Sequence, residues 1–450
     1  MPLASLRRGK TQRLPSKPVM MRTLVFVLAG AFGASTALAA DFKLLVGHGG
    51  PIMDAEISSD GRHALTASFD NAVGYWTLGS DEVQWLDGHE AAVKSVVFVD
   101  DTRAASGGDD FAITLWNLED GSQDLRLEGH KGQVAALAVS PDRSMLASAS
   151  WDGSVGLWSL TNGDNIAMMT GHGAVVNDVA FGPEGDSVYS ASADGTIRVW
   201  STESMQETRQ LVHHGFGVNK LLLGDGWLAY GAVDGGTRVV EIESADEIVD
   251  LTLDRRPILA MAARPDGGEI VVGDGEGFVM SVSTETWSIT GDYRAAGKGP
   301  VWALAYTGDG ESVLAGGIDD SAYIWPVVND LEAPIMATVE RGFLRDPDAM
   351  SNGERQFRRK CSICHRLTDD GARRAGPHLG GLFGRAAGSV EGYRYSETVS
   401  ALPFALDDET IDQLFDLGPD HFIPGSKMPM QRIVKPEDRA DLISFLKENT

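Results

Sequence analysis

Cys361-Ser362-Ile363-Cys364-His365 contains the only two cysteines among 450 residues. Two cysteines three apart, followed at once by histidine, form the covalent attachment pattern of c-type haem. The spacing has a geometric reason. One helical turn aligns both sulfurs with the edge of the macrocycle, where each thiol adds across a vinyl group. The next residue, His365, then falls under the iron as the proximal ligand. With both cysteines committed to haem, no disulfide is available.

An iron that only carries electrons needs a second axial ligand, and methionine is the usual partner of histidine in soluble electron carriers of this kind. Ile423-Pro424-Gly425-Ser426-Lys427-Met428-Pro429 lies about sixty residues downstream. Its Pro-Gly-Ser turn chemistry holds Met428 in a loop rather than on a helix face. Met428 is the expected ligand. Met430 is the alternative, and simple packing beside the haem is the plainer role for either.

Residues from about 350 to 450 resemble a class I cytochrome c, of the subgroup similar to mitochondrial cytochrome c. Three segments carry the resemblance: Gly376-Pro377-His378-Leu379-Gly380-Gly381-Leu382-Phe383-Gly384-Arg385, Glu391-Gly392-Tyr393-Arg394-Tyr395-Ser396, and the C-terminal helix pattern from Lys435 to Lys447. The resemblance implies an all-α domain with one covalent haem c. It implies that the Pro377 carbonyl accepts a hydrogen bond from the second nitrogen of His365, fixing the ring. It also implies that Arg385, Tyr395 and Ser396 bind the haem propionates, and that Ser426 stands where the family has a threonine near the haem edge. Gly353 and Phe357 on the first helix would meet Leu442 and Phe445 on the last, the small residue allowing close approach.

The chain also departs from the family. The buried tryptophan near the propionates falls on Leu406, which removes an indole donor. The spacing between the axial ligands is one residue longer. The ring of lysines around the exposed haem edge is thin, with Arg358, Arg359, Lys360, Arg366, Arg373, Arg374 and Lys427 as a partial substitute. Docking and plain solvation are equally open roles for these cations.

The N-terminal forty residues predict export. Met21-Arg22 precedes an apolar run from Thr23 to Ala31, then small residues ending Ala37-Leu38-Ala39-Ala40-Asp41, a charged start, apolar core and A-x-A-like site. Cleavage after Ala39 or Ala40 is expected, with retention as a membrane anchor the alternative. Met21 is an alternative start. Haem attachment of this type takes place outside the cytoplasm, so the two signals agree. No later stretch is apolar for long enough to cross a membrane.

Between these ends lies a repeat. Gly47-His48, Gly88-His89, Gly129-His130 and Gly171-His172 recur every 41 or 42 residues. Each unit ends in tryptophan (Trp76, Trp116, Trp158, Trp200), with an aspartate six residues earlier (Asp70, Asp110, Asp152, Asp194). The pattern resembles the WD repeat, one four-stranded propeller blade per unit. In that family His, Ser or Thr, Asp and Trp form a hydrogen-bonded set. His48-Ser68-Asp70-Trp76, His130-Ser150-Asp152-Trp158 and His172-Ser192-Asp194-Trp200 fit it. Three weaker units follow, with Asp234 and Val240, Glu276 and Val282, then Asp319 and Trp325 in the Asp and Trp positions. Seven blades result, and Phe42–Val46 is expected to close the ring as outer strand of the last. The repeated histidines are read as blade structure rather than a metal set. His213-His214, at a weak boundary, keeps a ligand role as its alternative.

Charge separates the two domains. Residues 41–340 hold 16 basic and 47 acidic groups, net −31, whereas residues 341–450 hold 16 and 17, net −1. Nucleic acid and anionic membrane surfaces are disfavoured as partners of so acidic a propeller. A cationic redox protein could be steered to it; solubility is the plainer reading of the charge.

The predicted organisation is therefore an N-terminal extension and signal over 1–40, an all-β seven-bladed WD-repeat propeller over 41–326, a linker over 327–349 and a cytochrome c domain over 350–450. Ser351 or Asn352 is the expected N-cap of its first helix. The expected function is a periplasmic carrier of single electrons through one haem c, with the propeller as a platform for redox protein partners. It is not expected to be an enzyme. The alternatives are a periplasmic oxidoreductase with a second cofactor in the propeller, and a haem-based sensor or assembly factor with an open distal site.

Overall fold

The computed structural model describes residues 43–255, 257–327, 336 and 349–450. The expected signal segment, residue Phe42 of the closing strand and nearly all of the expected linker lie outside the described residues.

Each repeat folds as a four-stranded antiparallel sheet, and there are seven such sheets among the described residues. The first is built from Ile52–Ile57, His63–Ser68, Ala72–Thr77 and Val83–Asp87. Its apolar residues are buried on both faces, because each sheet is stacked between two others. Leu65, Ala67, Val73 and Leu86 of the first blade share one cluster with Val93, Val96 and Trp116 of the second. First strands of successive sheets pack together, and the first strand of blade one meets that of blade seven, which closes the ring. Lys43–Val46 pairs antiparallel with Ser321–Pro326, placing Leu44 opposite Tyr323 and Leu45 opposite Ala322. The closing strand thus shields a sheet edge that would otherwise be open.

The hydrogen-bonded set inside each strong blade differs from the one expected in one member. Thr66, not Ser68, is the bridging hydroxyl of blade one. It lies 2.7 Å from His48 Nε2 and accepts the Trp76 indole N–H at 2.8 Å, while His48 Nδ1 sits 3.1 Å from Asp70. Ser148 and Ser190 do the same in blades three and four, in place of Ser150 and Ser192. Ser68 and Ser150 instead bond backbone, donating to the carbonyls of Gly50 and Gly132 and capping the amides of Asp70 and Asp152. The bridging hydroxyl stands in the middle of its strand, facing the tryptophan; the residue two positions on is the last of the strand, beside the turn. With Ser106 as bridge, blade two has the full set as well: His89, Ser106, Asp110 and Trp116. Burial lowers the pKa of His130 and His172 against the pull of their aspartates, so the rings stay neutral.

The weaker blades improvise. His214 Nε2 lies 3.0 Å from Asp234 and its other nitrogen 3.3 Å from the Tyr230 hydroxyl, so this ring is structural. In blade six Glu276 does not take the aspartate role. Arg255 occupies the histidine place and donates to Asp274 at 2.8 Å. Asp274, at the end of its strand, is nearer than Glu276 in the following turn. In blade seven the bridging hydroxyl is missing at Ala315, and Trp325 donates to the Tyr293 hydroxyl at 3.2 Å.

The C-terminal residues form five helices: α1 Asn352–Lys360, α2 Glu397–Ser400, α3 Asp408–Leu417, α4 Pro419–Phe422 and α5 Pro436–Asn449. Ser351 is the N-cap of α1, its hydroxyl accepting from the Glu354 amide. Arg358, Arg359 and Lys360 in its last turn face the negative end of the helix dipole. α1 crosses α5 at Gly353, where an added Cβ would lie 2.7 Å from that of Phe445. Phe357 and Phe445 follow with ring centroids 5.7 Å apart. The core below contains Phe357, Leu379, Ile411, Phe415, Leu442 and Leu446.

Candidate functional site

The two cysteines stand where α1 runs out. The Cys361 amide bonds back to Phe357, and the Cys364 and His365 amides both bond the Cys361 carbonyl, at 3.0 and 2.8 Å. This is one further turn, and it brings Cys361, Cys364 and His365 to the same end of the helix. The two cysteines are not joined by a disulfide. Burial pushes Cys361 up to about 12 and Cys364 up to about 11, so both are neutral S–H groups at physiological pH.

His365 is anchored from behind. Its Nδ1 lies 2.8 Å from the Pro377 carbonyl oxygen, which accepts the N–H and leaves Nε2 as the lone-pair nitrogen. Burial lowers its pKa, which keeps the ring a neutral donor ligand. The chain returns to it tightly, with the Gly376 amide bonding the Cys364 carbonyl at 2.8 Å.

Met428 sits in the loop after α4. The Ser426 amide bonds the Ile423 carbonyl at 2.9 Å, Gly425 has φ +84°, and the Met428 amide donates to Ser426 Oγ at 3.2 Å. Met428 packs against the same apolar cluster that contains Cys361 and Phe357. Met430 is 50% exposed. Of the two thioethers, the first is thus inside the domain.

Arg385 donates to the carbonyls of Gly380 and His378 at 2.6 and 3.1 Å. Burial lowers its pKa, and among the described residues no carboxylate pairs with it. A half-buried guanidinium whose only partners are carbonyls fits an acidic ligand such as a haem carboxylate. The Tyr395 hydroxyl accepts from the Val390 amide at 3.4 Å, and its ring meets Tyr393 edge-on at 4.7 Å. Tyr393 had no assigned role from sequence. Its hydroxyl donates to the Ala375 carbonyl at 2.7 Å, tying the segment around residue 393 to the loop that backs His365. Nothing in its local sequence separates it from Tyr395. Two sulfurs, an oriented imidazole, a partly buried thioether and a guanidinium bonded only to carbonyls among the described residues fit the donor set of a covalent haem.

Among the described residues no helix is long and apolar enough to cross a membrane. No group of three or more His, Cys, Asp or Glu side chains able to hold a metal ion is found there.

The family described as "WD domain, G-beta repeat" matches residues 41–77, 80–117, 121–159, 163–201 and 283–326. The family described as "Cytochrome c" matches residues 350–450. Cytochrome c of Cannabis sativa is 38% identical over 104 residues, 23% of this chain and 93% of that protein. Cytochrome c of Chlamydomonas reinhardtii is 39% identical over 101 residues, 22% and 89% of the two chains. Cytochrome c of Ginkgo biloba is 40% identical over 105 residues, 23% and 89%.

Proposed function

From a chain that belongs to the cytochrome c family through residues 350–450, we propose a periplasmic carrier of single electrons, ligated by His365 and Met428 and holding one haem c. Haem-based electron transfer comes with the family, and the WD repeats ahead of it form a platform for protein interaction.

The observation that carries it is the placement of His365 and Met428. One has its ring fixed by Pro377 and the other is packed into the core that contains Cys361. When bound, the haem supplies an iron that gains or loses one electron. The protein's part is to hold that iron in one geometry. Pro377 holds the proton on Nδ1, so the ligating nitrogen does not change its protonation. The apolar cluster of Leu379, Leu382, Phe357 and Ile433 excludes water. A fixed, dry ligand set changes little between oxidation states, which suits rapid transfer rather than bond chemistry.

The apolar segment after Met21-Arg22 supports an exported protein, because the Cys361–His365 pattern matures outside the cytoplasm. The acidic propeller supports a cationic redox partner steered by charge.

Optical spectra of the protein matured in a periplasm test this reading. A low-spin haem with a methionine-to-iron band, one haem per chain and no response to carbon monoxide is expected. A high-spin or CO-binding haem overturns the ligand pair and favours sensing. Absorbance beyond one haem c points to a second cofactor and an oxidoreductase.

A further inference from the structure

Blade one lacks a residue that blade two has. In blade two, Arg126 stands opposite Thr114 on the last strand and places both terminal nitrogens 3.1 Å from Asp110, the carboxylate of the His89 set. The matching position in blade one, opposite Gly74, is Trp85. Trp85 packs edge-on against His48 at 4.8 Å and Trp76 at 5.5 Å, and supplies no charge to Asp70. The missing guanidinium comes from the haem domain. The guanidinium carbon of Arg373 lies 4.7 Å from the centre of the Trp85 ring, and its Nε lies 3.8 Å from Asp70. Arg373 also pairs with Asp87.

Two more cations accompany it. Arg374 donates to the Gly49 carbonyl and lies 3.6 Å from Asp320 of blade seven. Lys427, the neighbour of Met428, lies 3.3 Å from Glu90 in the entry to blade two. The cations come from the loop behind His365 and from the loop of Met428. Their partners come from blades seven, one and two.

We propose that this face of the propeller is a built seat for the chain's own haem domain, latched by Arg373. Plain solvation of the arginines does not account for the arrangement. A solvated arginine has no need of a tryptophan face, yet Arg373 combines a stacked ring with Asp70, a strong-blade aspartate that no arginine of its own blade pairs. The net charge of −31 over residues 41–340 draws a basic loop to this surface. The seat also leaves a cleft between the domains. A cavity of about 490 Å³, lined by Asp70, His89, Arg366, Tyr393 and Lys427 among others, lies between the two domains. The pairs that reach the rim of this cleft, Arg373 with Asp87 and Lys427 with Glu90, are weak singly and screened by salt. The latch therefore holds at low ionic strength and opens as salt rises. Closed, it covers the side of the haem domain formed by the 366–376 loop and Lys427, so a redox partner using that side must displace the propeller. This inference concerns domain docking and does not rest on what the haem does.

Small-angle X-ray scattering of the full-length holoprotein tests it, at low and at high salt. The wild type is expected to be compact at low salt and to gain a few ångströms in radius of gyration at high salt. Arg373→Glu is expected to be extended at both. Trp85→Arg gives blade one the guanidinium that blade two already has, so it is expected to expel Arg373 and extend the molecule without loss of the blade. An unchanged haem spectrum and thermal midpoint show that each variant is folded. A wild type that is extended at low salt, or an Arg373→Glu protein as compact as the wild type, overturns the proposal.

Discussion

Gly376 faces the imidazole of His365 so closely that a Cβ built on it would lie 2.7 Å from Nδ1 and 2.9 Å from Nε2. The backbone here has no spare room, because the Gly376 amide is bonded to Cys364 and the next carbonyl is the one that holds His365. The ligand ring is thus packed by backbone on one side and hydrogen-bonded by backbone on another. Its orientation is set by backbone contacts.

Gly376→Ala is expected to push the ring or the loop aside, at a cost of about 1–3 kcal/mol in haem-domain stability. Thermal melts followed at the haem absorbance read this, and a shift in redox potential should accompany it. A variant with the wild-type midpoint and potential would mean that the loop yields freely.

Met428→Ala is expected to remove the low-spin spectrum and open the iron to carbon monoxide. Met430→Ala, at a half-exposed position, is expected to change neither. Titration with CO in the reduced state separates the two. The opposite ranking would assign the axial ligand to Met430.

Ser148 bridges His130 and Trp158, whereas Ser150 caps backbone groups. Ser148→Ala strands two buried ring nitrogens and is expected to cost about 2–4 kcal/mol, against about 1 kcal/mol for Ser150→Ala. Denaturant unfolding monitored by tryptophan fluorescence measures both. Equal losses would count against the bridge.

Glu56 has its pKa raised to about 8, first by burial and further by Asp54, against the opposing hydrogen bond from the Phe98 amide. An acid raised above its unfolded value binds a proton more tightly when folded. Its contribution is complete below about pH 4.5 and is lost as pH rises through about 8, with a slope of at most about 1.4 kcal/mol per pH unit. Glu56→Gln should flatten this part of the stability profile. Melting temperatures across pH 4 to 9 for both proteins provide the check, in which parallel profiles would exclude Glu56 as the source.

The propeller was legible where each blade repeats its own signals. Gly-His, Asp and Trp recur because each blade solves the same hydrogen-bonding problem with the same residues. The bridging hydroxyl was misread by two positions, since Ser68, Ser150 and Ser192 stand beside the aspartates in sequence while Thr66, Ser148 and Ser190 face the tryptophans in space. Blade six hid its carboxylate for a similar reason. Arg255 chose Asp274 on distance, which a spacing rule fitted to histidine does not anticipate.

The pattern Cys361, Cys364 and His365 is legible from spacing alone, because a covalent attachment within one helical turn requires neighbours in the chain. The sequence also determined the blade count, because closure by repetition leaves its period in the residues. Packing in three dimensions settles which hydroxyl serves each blade, that Gly376 walls in His365, and that Arg373 meets Trp85 and Asp87. The last contact joins residues 286 apart, across two domains whose own patterns say nothing of each other. Local geometry is written in local spacing, whereas a meeting of distant surfaces depends on how every intervening blade has packed.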